Sequence, residues 1–512
     1  MREPKREYLR IIFSRTGIMM ALILLQISYL YTLYKWFFNY FKWFAVVSNA
    51  FAIVMVFYLF NSGMDASAKL TWMLLIMVVP VAGAFFLWFS KRDFGHRALR
   101  QMVLERISES EHVLGQDQEV LRRPELVDAG VDDLLMYMNR SGSFQVYADS
   151  DVTYYPVGES AYEAMLQALS DAKRTIYLEY FIISEGVMWN SILKVLKEKA
   201  AQGVDVRVLY DGMCEMTKLP RSYPKRLQKE GIQCRLFSPI MPFLSTYYNY
   251  RDHRKIMVID DEIAFTGGMN LADEYINQIQ LFGHWKDAVV RVQGPAVTSF
   301  SLMFLQMWNL PEKEPKWEIA MREQSCLTEK KGFVIPYCDH PLDSDQVGEM
   351  VYIDMLSRAK SYVHIMTPYL MLDNELEMAI TFAAKRGVDV KLILPGIPDK
   401  KIPYAMAKSY YKNLLEAGVK IYEYAPGFLH SKVFVSDDER AVVGTINLDY
   451  RSLYHHFECA TYLYRCPCIA DVERDVQETL KKCRVVTMEV ADNERFLVKL
   501  IGTVMKVFAP LM

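Results

Sequence analysis

Three long runs of uncharged, mostly apolar residues occupy the first ninety positions of the chain. They cover residues 16–34, 43–64 and 70–90. A helix that crosses a lipid bilayer needs about 20 such residues, so each run is long enough to span one. The pattern therefore predicts a membrane region over residues 1–92 that contains two or three hydrophobic helices.

Basic residues flank this region at both ends. Five lie between positions 2 and 15, and four lie between positions 91 and 100. Basic flanks favour the cytoplasmic side of a membrane helix. Three full spans would place the two clusters on opposite sides, so we expect the first run to be tilted or interfacial. The rest of the chain is then expected in the cytoplasm, held at the cell membrane by a multi-pass region.

Helical and strand-like segments alternate after the membrane region. Residues 93–140 are charged and amphipathic, which predicts a helical connector. Beyond them, a strand, a helix that ends at a glycine and a second strand follow one another twice, with the glycines at Gly203 and Gly387. Strands separated by helices are typical of a mostly parallel sheet with helical faces. The predicted fold class is α/β, with two similar α/β/α domains forming a pseudo-two-fold pair.

The repeat also sets the expected domain limits. We assign residues 141–325 to the first domain and residues 326–512 to the second, whose tail has the apolar spacing of an amphipathic helix. The same offset of 177 residues separates His253 from His430 and Gly267 from Gly444. A repeat this long indicates a duplicated domain rather than a solenoid. A pocket between two such domains is a common place for an active site.

Each predicted domain carries one copy of the motif H-x-K-x4-D-x6-G-[GT]-x-N. The two copies comprise His253, Lys255, Asp260 and Asn270, and His430, Lys432, Asp437 and Asn447. A histidine and a lysine two positions apart on a strand point to the same face. A glycine turn then lets the asparagine return toward them. Two copies matched at one offset indicate shared chemistry rather than two unrelated core histidines.

Two imidazoles, two ammonium groups and two amides suit a phosphodiester substrate. Ammonium and amide groups hold phosphate oxygens and stabilise the charge of a five-coordinate transition state. One histidine can attack phosphorus, while the other protonates the leaving alcohol and deprotonates the incoming one. The lysines supply positive charge, so we expect neither a metal ion nor a cofactor. Asp260 and Asp437 complete the catalytic motif, although their place at strand ends favours a role in holding the fold.

Composition narrows the class of phosphodiester. The chain has 59 Lys and Arg against 61 Asp and Glu, which gives a net charge of −2. A dedicated nucleic-acid binder is usually basic, so no DNA or RNA partner is expected. Eight scattered cysteines in 512 residues do not indicate a disulfide framework. Together with the membrane region, this disfavours a nucleic acid as the phosphodiester.

The paired motif resembles the phospholipase D superfamily, and its surroundings resemble the bacterial cardiolipin synthases. The similar stretches are Leu87–Arg92, Tyr250–Asp260, Gly267–Tyr275, Thr367–Tyr369 and Gly444–Ser452. The resemblance extends from about residue 43 to the end of the chain. Both motif copies match without departure, whereas the first hydrophobic run is less usual for that family.

The resemblance implies a phosphatidyl transfer between two lipids. One phosphatidylglycerol would give its phosphatidyl group to a histidine of the enzyme and release glycerol. A second phosphatidylglycerol would accept that group through a headgroup hydroxyl, giving cardiolipin. The superfamily implies His253 as the nucleophile and His430 as the acid and base, although the sequence itself is symmetric on this point.

The same resemblance implies roles for further residues. Phosphate would be bound by the two motif lysines and by Asn270 and Asn447. An acid from each half would orient the histidine of the other half. We therefore expect Glu458 to contact His253 and Asp287 to contact His430.

Other functions remain open at this stage. A phospholipase D-type hydrolase would use water as the acceptor, and another phosphatidyltransferase would use a different alcohol. The motif does not separate these, because acceptor choice depends on water exclusion and pocket shape. A nuclease is disfavoured by the near-neutral charge and the membrane region, and a non-catalytic scaffold is disfavoured by the intact motifs.

Overall fold

The computed structural model describes residues 15–36, 38–91, 96–127, 129–238, 250–320, 332–343 and 345–511. The chain forms two compact units, one of residues 1–94 with 507–512 and one of residues 95–506. The basic residues before Arg15, Cys326 and the predicted boundary between residues 325 and 326 lie outside the described residues. The predicted domain limits therefore stay a prediction.

The first unit consists of apolar helices. They are Arg15–Trp36, Phe38–Phe60, Ala66–Val78 and Pro80–Lys91. Within the described residues, one segment is long and apolar enough to cross a membrane, Trp43–Phe60. Pro80 has no backbone N–H to continue the preceding helix, so the third run is divided into two shorter helices. The structure thus supports one of the two or three membrane helices that the sequence predicts.

The second unit begins with the connector. The described part of the connector contains the helical segments His96–Ser110, Gln118–Leu121, Pro124–Val127 and Asp132–Gly142. Two halves follow, each built on one sheet, which we call the first half (residues 151–308) and the second half (residues 333–508). Arg106, on the first connector helix, donates hydrogen bonds to the carbonyls of Asn309 and Glu312. The connector is therefore bonded to the segment that leads out of the first half.

The first half contains nine strands. They are β1 Asp151–Tyr155, β2 Thr175–Tyr180, β3 Asp205–Asp211, β4 Gln233–Phe237, β5 Arg251–Asp252, β6 Lys255–Ile259, β7 Ile263–Gly267, β8 His284–Lys286 and β9 Val289–Gln293. Seven of them form a sheet in the order β1-β9-β7-β6-β2-β3-β4. Its helices are Gly158–Asp171, Val187–Ala201, Met213–Thr217, Tyr223–Lys229 and Val297–Trp308.

The second half repeats the order of the seven strands of the first sheet and adds one edge strand. Its strands are β10 Phe333–Asp339, β11 Tyr362–Met366, β12 Asp389–Pro395, β13 Lys420–Tyr424, β14 Gly427–Leu429, β15 Val433–Ser436, β16 Arg440–Gly444, β17 His456–Tyr464 and β18 Cys483–Val486. The sheet order is β10-β17-β16-β15-β11-β12-β13-β18. Its helices are Val347–Arg358, Asn374–Lys385, Lys401–Glu416, Tyr450–Tyr454, Ile469–Leu480, Met488–Asp492 and Phe496–Phe508. The equivalent sheet order supports the duplication.

The prediction of a mostly parallel sheet is wrong. In the first half only β2, β3 and β4 run parallel, while β2/β6, β6/β7, β7/β9 and β1/β9 pair antiparallel. A tight turn after each motif strand accounts for the antiparallel pairs β6/β7 and β15/β16. Asp260 and Asp261 have φ of 57° and 54°, and Asp437 and Asp438 have φ of 55° and 56°. Positive φ at both central residues is the geometry of a primed hairpin turn, which returns the chain antiparallel.

One hydrophobic core joins the two halves. It includes Ile256 and Phe304 from the first half and Val334 and Val433 from the second. The helix Val297–Trp308 is almost wholly buried and contacts both β2 and β10. Because both sheets bury side chains in this core, the faces that carry the two motifs are held together.

Candidate functional site

Each motif histidine follows a short strand that pairs with the other half. β5 runs parallel to the start of β17, and the backbone N–H of His253 donates to the carbonyl of Phe457 at 2.9 Å. β14 runs parallel to β8, and the N–H of His430 donates to the carbonyl of Lys286 at 2.7 Å. Main-chain hydrogen bonds therefore fix both histidines at the junction of the halves.

A carboxylate from the opposite half contacts each imidazole. His253 Nδ1 lies 2.9 Å from both Oε1 and Oε2 of Glu458. His430 Nδ1 lies 2.7 Å from Asp287 Oδ2. Both carboxylates are fully buried. A carboxylate at Nδ1 places the proton there and leaves the Nε2 lone pair to face a substrate.

The variable position of the motif accommodates each acid. A Cβ at Gly268 would lie 2.0 Å from Asp287 Oδ1, so only glycine leaves room for that carboxylate. At the equivalent position, Thr445 donates its hydroxyl hydrogen to Glu458 Oε2. The variable motif position is therefore Gly where it must leave room for the Asp287 carboxylate. It is Thr where its hydroxyl hydrogen-bonds the Glu458 carboxylate.

The motif lysines are buried beside the histidines. Lys255 Nζ donates to the carbonyl of His253 at 2.5 Å, and Lys432 Nζ donates to the carbonyl of His430. Burial lowers the pKa of Lys255 to about 8 and that of Lys432 to about 7. Burial, together with the lysine charges, lowers the pKa of His430 to about 4 and that of His253 well below its usual value. Both imidazoles are neutral near pH 7.

These pKa shifts predict a bell-shaped pH dependence of kcat/KM. A protonated His253 is not a nucleophile, so activity should fall at acidic pH as His253, whose pKa lies well below its usual value, takes up a proton. A neutral lysine attracts phosphate poorly, so activity should fall again as pH rises through the Lys432 pKa of about 7 and the Lys255 pKa of about 8. The check is kcat/KM for phospholipid turnover across this range.

A matched variant isolates the alkaline limb. The arginine in Lys432→Arg keeps its charge at high pH. The pH at which kcat/KM falls on the alkaline side should therefore be higher than in the wild type. The phosphodiester of the substrate does not titrate between these limits. A wild-type profile that stays flat well above pH 8 would show that the lysines are not the groups that titrate.

The two motif asparagines differ in their surroundings. Asn270 Oδ1 accepts from Ile182 N at 3.1 Å, and its Nδ2 donates to the Tyr275 hydroxyl at 2.7 Å. Asn447 is 5% exposed, and its Oδ1 has no hydrogen-bond partner among the described residues. Their role as phosphate ligands stays a prediction.

The motif aspartates contact the main chain. Asp260 accepts the backbone N–H groups of Lys173, Arg174 and Thr175 at 2.6–2.8 Å. Asp437 accepts those of residues 360, 361 and 362 at 2.8–2.9 Å. Each carboxylate lies at the far end of the motif strand from the histidine. The contacts tie the hairpin turn to the start of β2 or β11.

Asp437→Asn should therefore destabilise the fold by about 2 kcal/mol, because hydrogen bonds to a charged acceptor weaken. Asp438→Asn is the matched control, since Asp438 sits in the same turn but its carboxylate accepts one exposed bond from the Tyr362 hydroxyl. Asparagine tolerates the positive φ at both positions. Urea unfolding measures the difference. Equal midpoints, or a fully stable but inactive Asp437→Asn protein, would contradict a structural role.

Aromatic side chains surround the histidines, and the sequence analysis did not identify them. His430 has ring neighbours at centroid distances of 5.6, 5.2 and 5.6 Å, which are Tyr275, Trp285 and Phe428. Phe181 lies 5.1 Å from His253. The sequence did contain a signal for Trp285. It lies two residues before Asp287, so its side chain points to the same face of the extended chain as that carboxylate.

His456 occupies the position beside His253 that Trp285 occupies beside His430. Its ring centroid is 5.4 Å from that of His253, and its Nδ1 is 3.5 Å from Glu458 Oε1. Its Nε2 has no hydrogen-bond partner in the described part of the chain. Donor atoms of His253, His456 and Glu458 lie within 4.8 Å of one another and could hold a metal ion. The expectation of a metal-free site thus needs an experiment.

Buried arginine–acid pairs lie at the first motif. Arg251 Nη1 lies 3.3 Å from Asp211 Oδ1, and Arg254 Nη1 lies 3.8 Å from Glu179 Oε1. Asp211 also accepts the backbone N–H of Asp252 at 3.0 Å. The second motif has Phe428, Leu429 and Ser431 at the corresponding positions. The two histidines therefore have different electrostatic surroundings, although their immediate contacts are equivalent.

Comparisons with known proteins find similar sequences. The family described as cardiolipin synthase, PLD-like domain, matches residues 165–308 and 352–480. An uncharacterized protein of Streptococcus mutans is 53% identical over 89% of this chain and 99% of its own length. A cardiolipin synthase of Alkalihalophilus pseudofirmus is 33% identical over 91% of this chain and 93% of its own length. A cardiolipin synthase of Halalkalibacterium halodurans is 31% identical over 89% and 91%.

A solved structure has a similar fold. It is phosphatidylserine synthase of Haemophilus influenzae, which aligns with a TM-score of 0.56 over 74% of this chain and 97% of its own. At 15% identity the likeness concerns the fold alone. It supports a mixed α/β architecture.

Proposed function

The chain belongs to the family of cardiolipin synthases with phospholipase D-like domains, and we propose that it transfers a phosphatidyl group from one phosphatidylglycerol to another. The observation that carries this proposal is the pair of crossed histidine–acid contacts, each beside a buried lysine. Such a site offers a nucleophile, a proton donor and cationic charge to one phosphodiester. The family membership supports a lipid as that phosphodiester.

In the first step, His253 Nε2 attacks phosphorus. A P–N bond forms while the bond from phosphorus to the glycerol oxygen breaks. His430 takes up a proton at Nε2 from solvent as the anionic phosphodiester binds, gives that proton to the glycerol oxygen, and glycerol leaves. Lys255 and Lys432 stabilise the added negative charge on the phosphoryl oxygens. Glu458 stabilises the positive charge that develops on the His253 ring.

In the second step, His430 is the base. It takes the proton from a headgroup hydroxyl of a second phosphatidylglycerol as the oxygen attacks phosphorus. The P–N bond breaks, His253 becomes neutral again and cardiolipin leaves. The bond changes of the two steps mirror each other, so the transfer is reversible. A phosphohistidine that waits for a lipid acceptor needs water to be excluded, and the aromatic rings around His430 support that.

We propose further that the protein resides in the cell membrane as a multi-pass protein. The helix Trp43–Phe60 would cross the bilayer. The helix Arg15–Trp36 and the helices on either side of Pro80 would complete the membrane region. The basic residues at positions 91–100 support a cytoplasmic location of the catalytic halves.

The test is a product assay with the full-length protein. Purified protein is incubated with phosphatidylglycerol in mixed micelles containing a chelator, and products are identified by mass spectrometry. We expect cardiolipin and glycerol in equal amounts. Phosphatidic acid alone would identify a hydrolase. Activity that appears only after a divalent metal is restored would contradict the metal-free mechanism, and a product made only after another alcohol is added would identify a different phosphatidyltransferase.

A further inference from the structure

The helix Phe496–Phe508 turns its apolar side away from the protein. Five side chains on one face of this helix are 45–75% exposed, and we call them the apolar stripe. They are Phe496, Leu497, Leu500, Ile501 and Val504. Their spacing of one and three residues places them on a single face. Water therefore meets a continuous row of large hydrophobic groups.

The opposite side of the helix is held firmly against the second half. A Cβ at Gly502 would lie 2.3 Å from the carbonyl oxygen of Ala405, so the two backbones touch. Lys506 Nζ lies 3.7 Å from the centre of the Tyr410 ring and 3.5 Å from Glu377 Oε2. The small and basic residues thus face the protein, and the apolar residues cannot turn inward without losing these contacts.

Such an arrangement needs an apolar partner. Removing large apolar side chains from water is favourable, so five exposed ones leave a large unused stabilisation. The helix has 13 residues, which is too short to cross a bilayer but suits a helix that lies in its interface. The last two residues of this helix, 507 and 508, belong together with residues 509–512 to the apolar first unit. There Thr71 Oγ1 donates to the carbonyl of Val507 at 2.6 Å.

We propose that the apolar stripe is a lipid-binding surface that lies in the headgroup layer of the membrane and brings the second half to its lipid substrates. The segment Trp43–Phe60, which is long and apolar enough to cross a membrane, tethers the stripe near lipid at high effective concentration. A bilayer is therefore favoured over a second protein copy as the partner. The link to substrate delivery rests on the proposed function, whereas lipid contact by the stripe does not.

The first test labels the unmodified protein. Full-length protein in phosphatidylglycerol vesicles is irradiated with a phospholipid that carries a photoreactive group near the headgroup end of its acyl chain. We expect lipid adducts on the peptide that contains the apolar stripe. The internal control is Val187, an apolar side chain that is 54% exposed on the first half, whose peptide should stay unlabelled. An unlabelled stripe, or one that cross-links to a second copy, overturns the proposal.

The second test asks whether the surface assists turnover. Leu500→Asp combined with Val504→Asp should lower the rate on vesicles by about tenfold or more, because charges do not enter the interface. On monomeric short-chain phosphatidylglycerol the rate should stay within about twofold of wild type. Val187→Asp is the matched control and should leave both rates unchanged.

The outcomes separate the two proposals. Equal loss of rate on both substrates, in a variant that keeps its unfolding temperature, would show that the stripe does not act through lipid. If the double variant does not fold, the photolabelling of the unmodified protein decides whether the stripe binds lipid. A wild-type protein that makes no cardiolipin from either substrate refutes the proposed function, and the labelling still decides whether the stripe binds lipid.

Discussion

His253→Asn should abolish transfer, with a loss on the order of 10⁴–10⁶-fold in kcat. The covalent route needs a nitrogen lone pair on this side chain, and asparagine has none in its amide nitrogen. His430→Asn should also be severely impaired, because the leaving glycerol then receives no proton. Rates with the natural substrate alone therefore do not separate the roles of the two histidines.

A phosphatidyl ester of nitrophenol separates them. Nitrophenol leaves without a proton, so His430→Asn should still form the phosphohistidine and release one equivalent of nitrophenol in a burst. Mass spectrometry should then find the phosphatidyl group on His253. His253→Asn should show no burst. The reverse pattern would assign the nucleophile to His430. His284→Asn is the control for the loss of an imidazole that lies outside the site. His284 lies on β8, and its Nδ1 is hydrogen-bonded to the Tyr424 hydroxyl.

Glu458→Gln should lower kcat by about 10²–10⁴-fold while the fold is retained. The glutamine amide has the same shape but no charge, so it neither stabilises a charged His253 ring nor fixes the proton on Nδ1. Asp287→Asn should have an effect of the same kind through His430. The readouts are steady-state kcat and the size of the nitrophenol burst, with the unfolding temperature measured in parallel.

A second histidine–glutamate pair provides the control. Glu473 places its two oxygens 3.0 and 2.9 Å from His364 Nδ1, almost the geometry of Glu458 and His253, but outside the candidate site. Glu473→Gln should change turnover little. If both glutamine variants lost activity equally, the loss would reflect folding. If Glu458→Gln kept wild-type kcat, the carboxylate would have no part in catalysis.

The sequence was informative wherever function and fold depend on local pattern. The motif spacing located both histidine–lysine pairs, and the helix–glycine–strand repeat located equivalent strands in both halves. The hairpin direction was missed, although Asp260-Asp261 and Asp437-Asp438 are pairs that tolerate the positive φ of a primed turn. Those pairs are a usable signal for antiparallel strands in such a repeat.

The pattern of polar and apolar residues did not predict contacts between segments that are far apart in the chain. β5 has two residues and β14 has three, too few to show any alternation of polar and apolar positions. The aromatic rings around His430 come from three separate segments, and each looks like ordinary core in the sequence. The crossed acids were proposed through the family resemblance, because no spacing rule relates residues so far apart.

The crossed strand pairs also determine when the protein can first act. His253 and Glu458 are 205 positions apart, and β5 gains its partner strand only when β17 is available. A nascent chain that has left the ribosome as far as residue 320 holds His253 without its acid. Catalytic competence therefore appears only after the second half has been made, and ribosomes stalled before β17 would release inert protein.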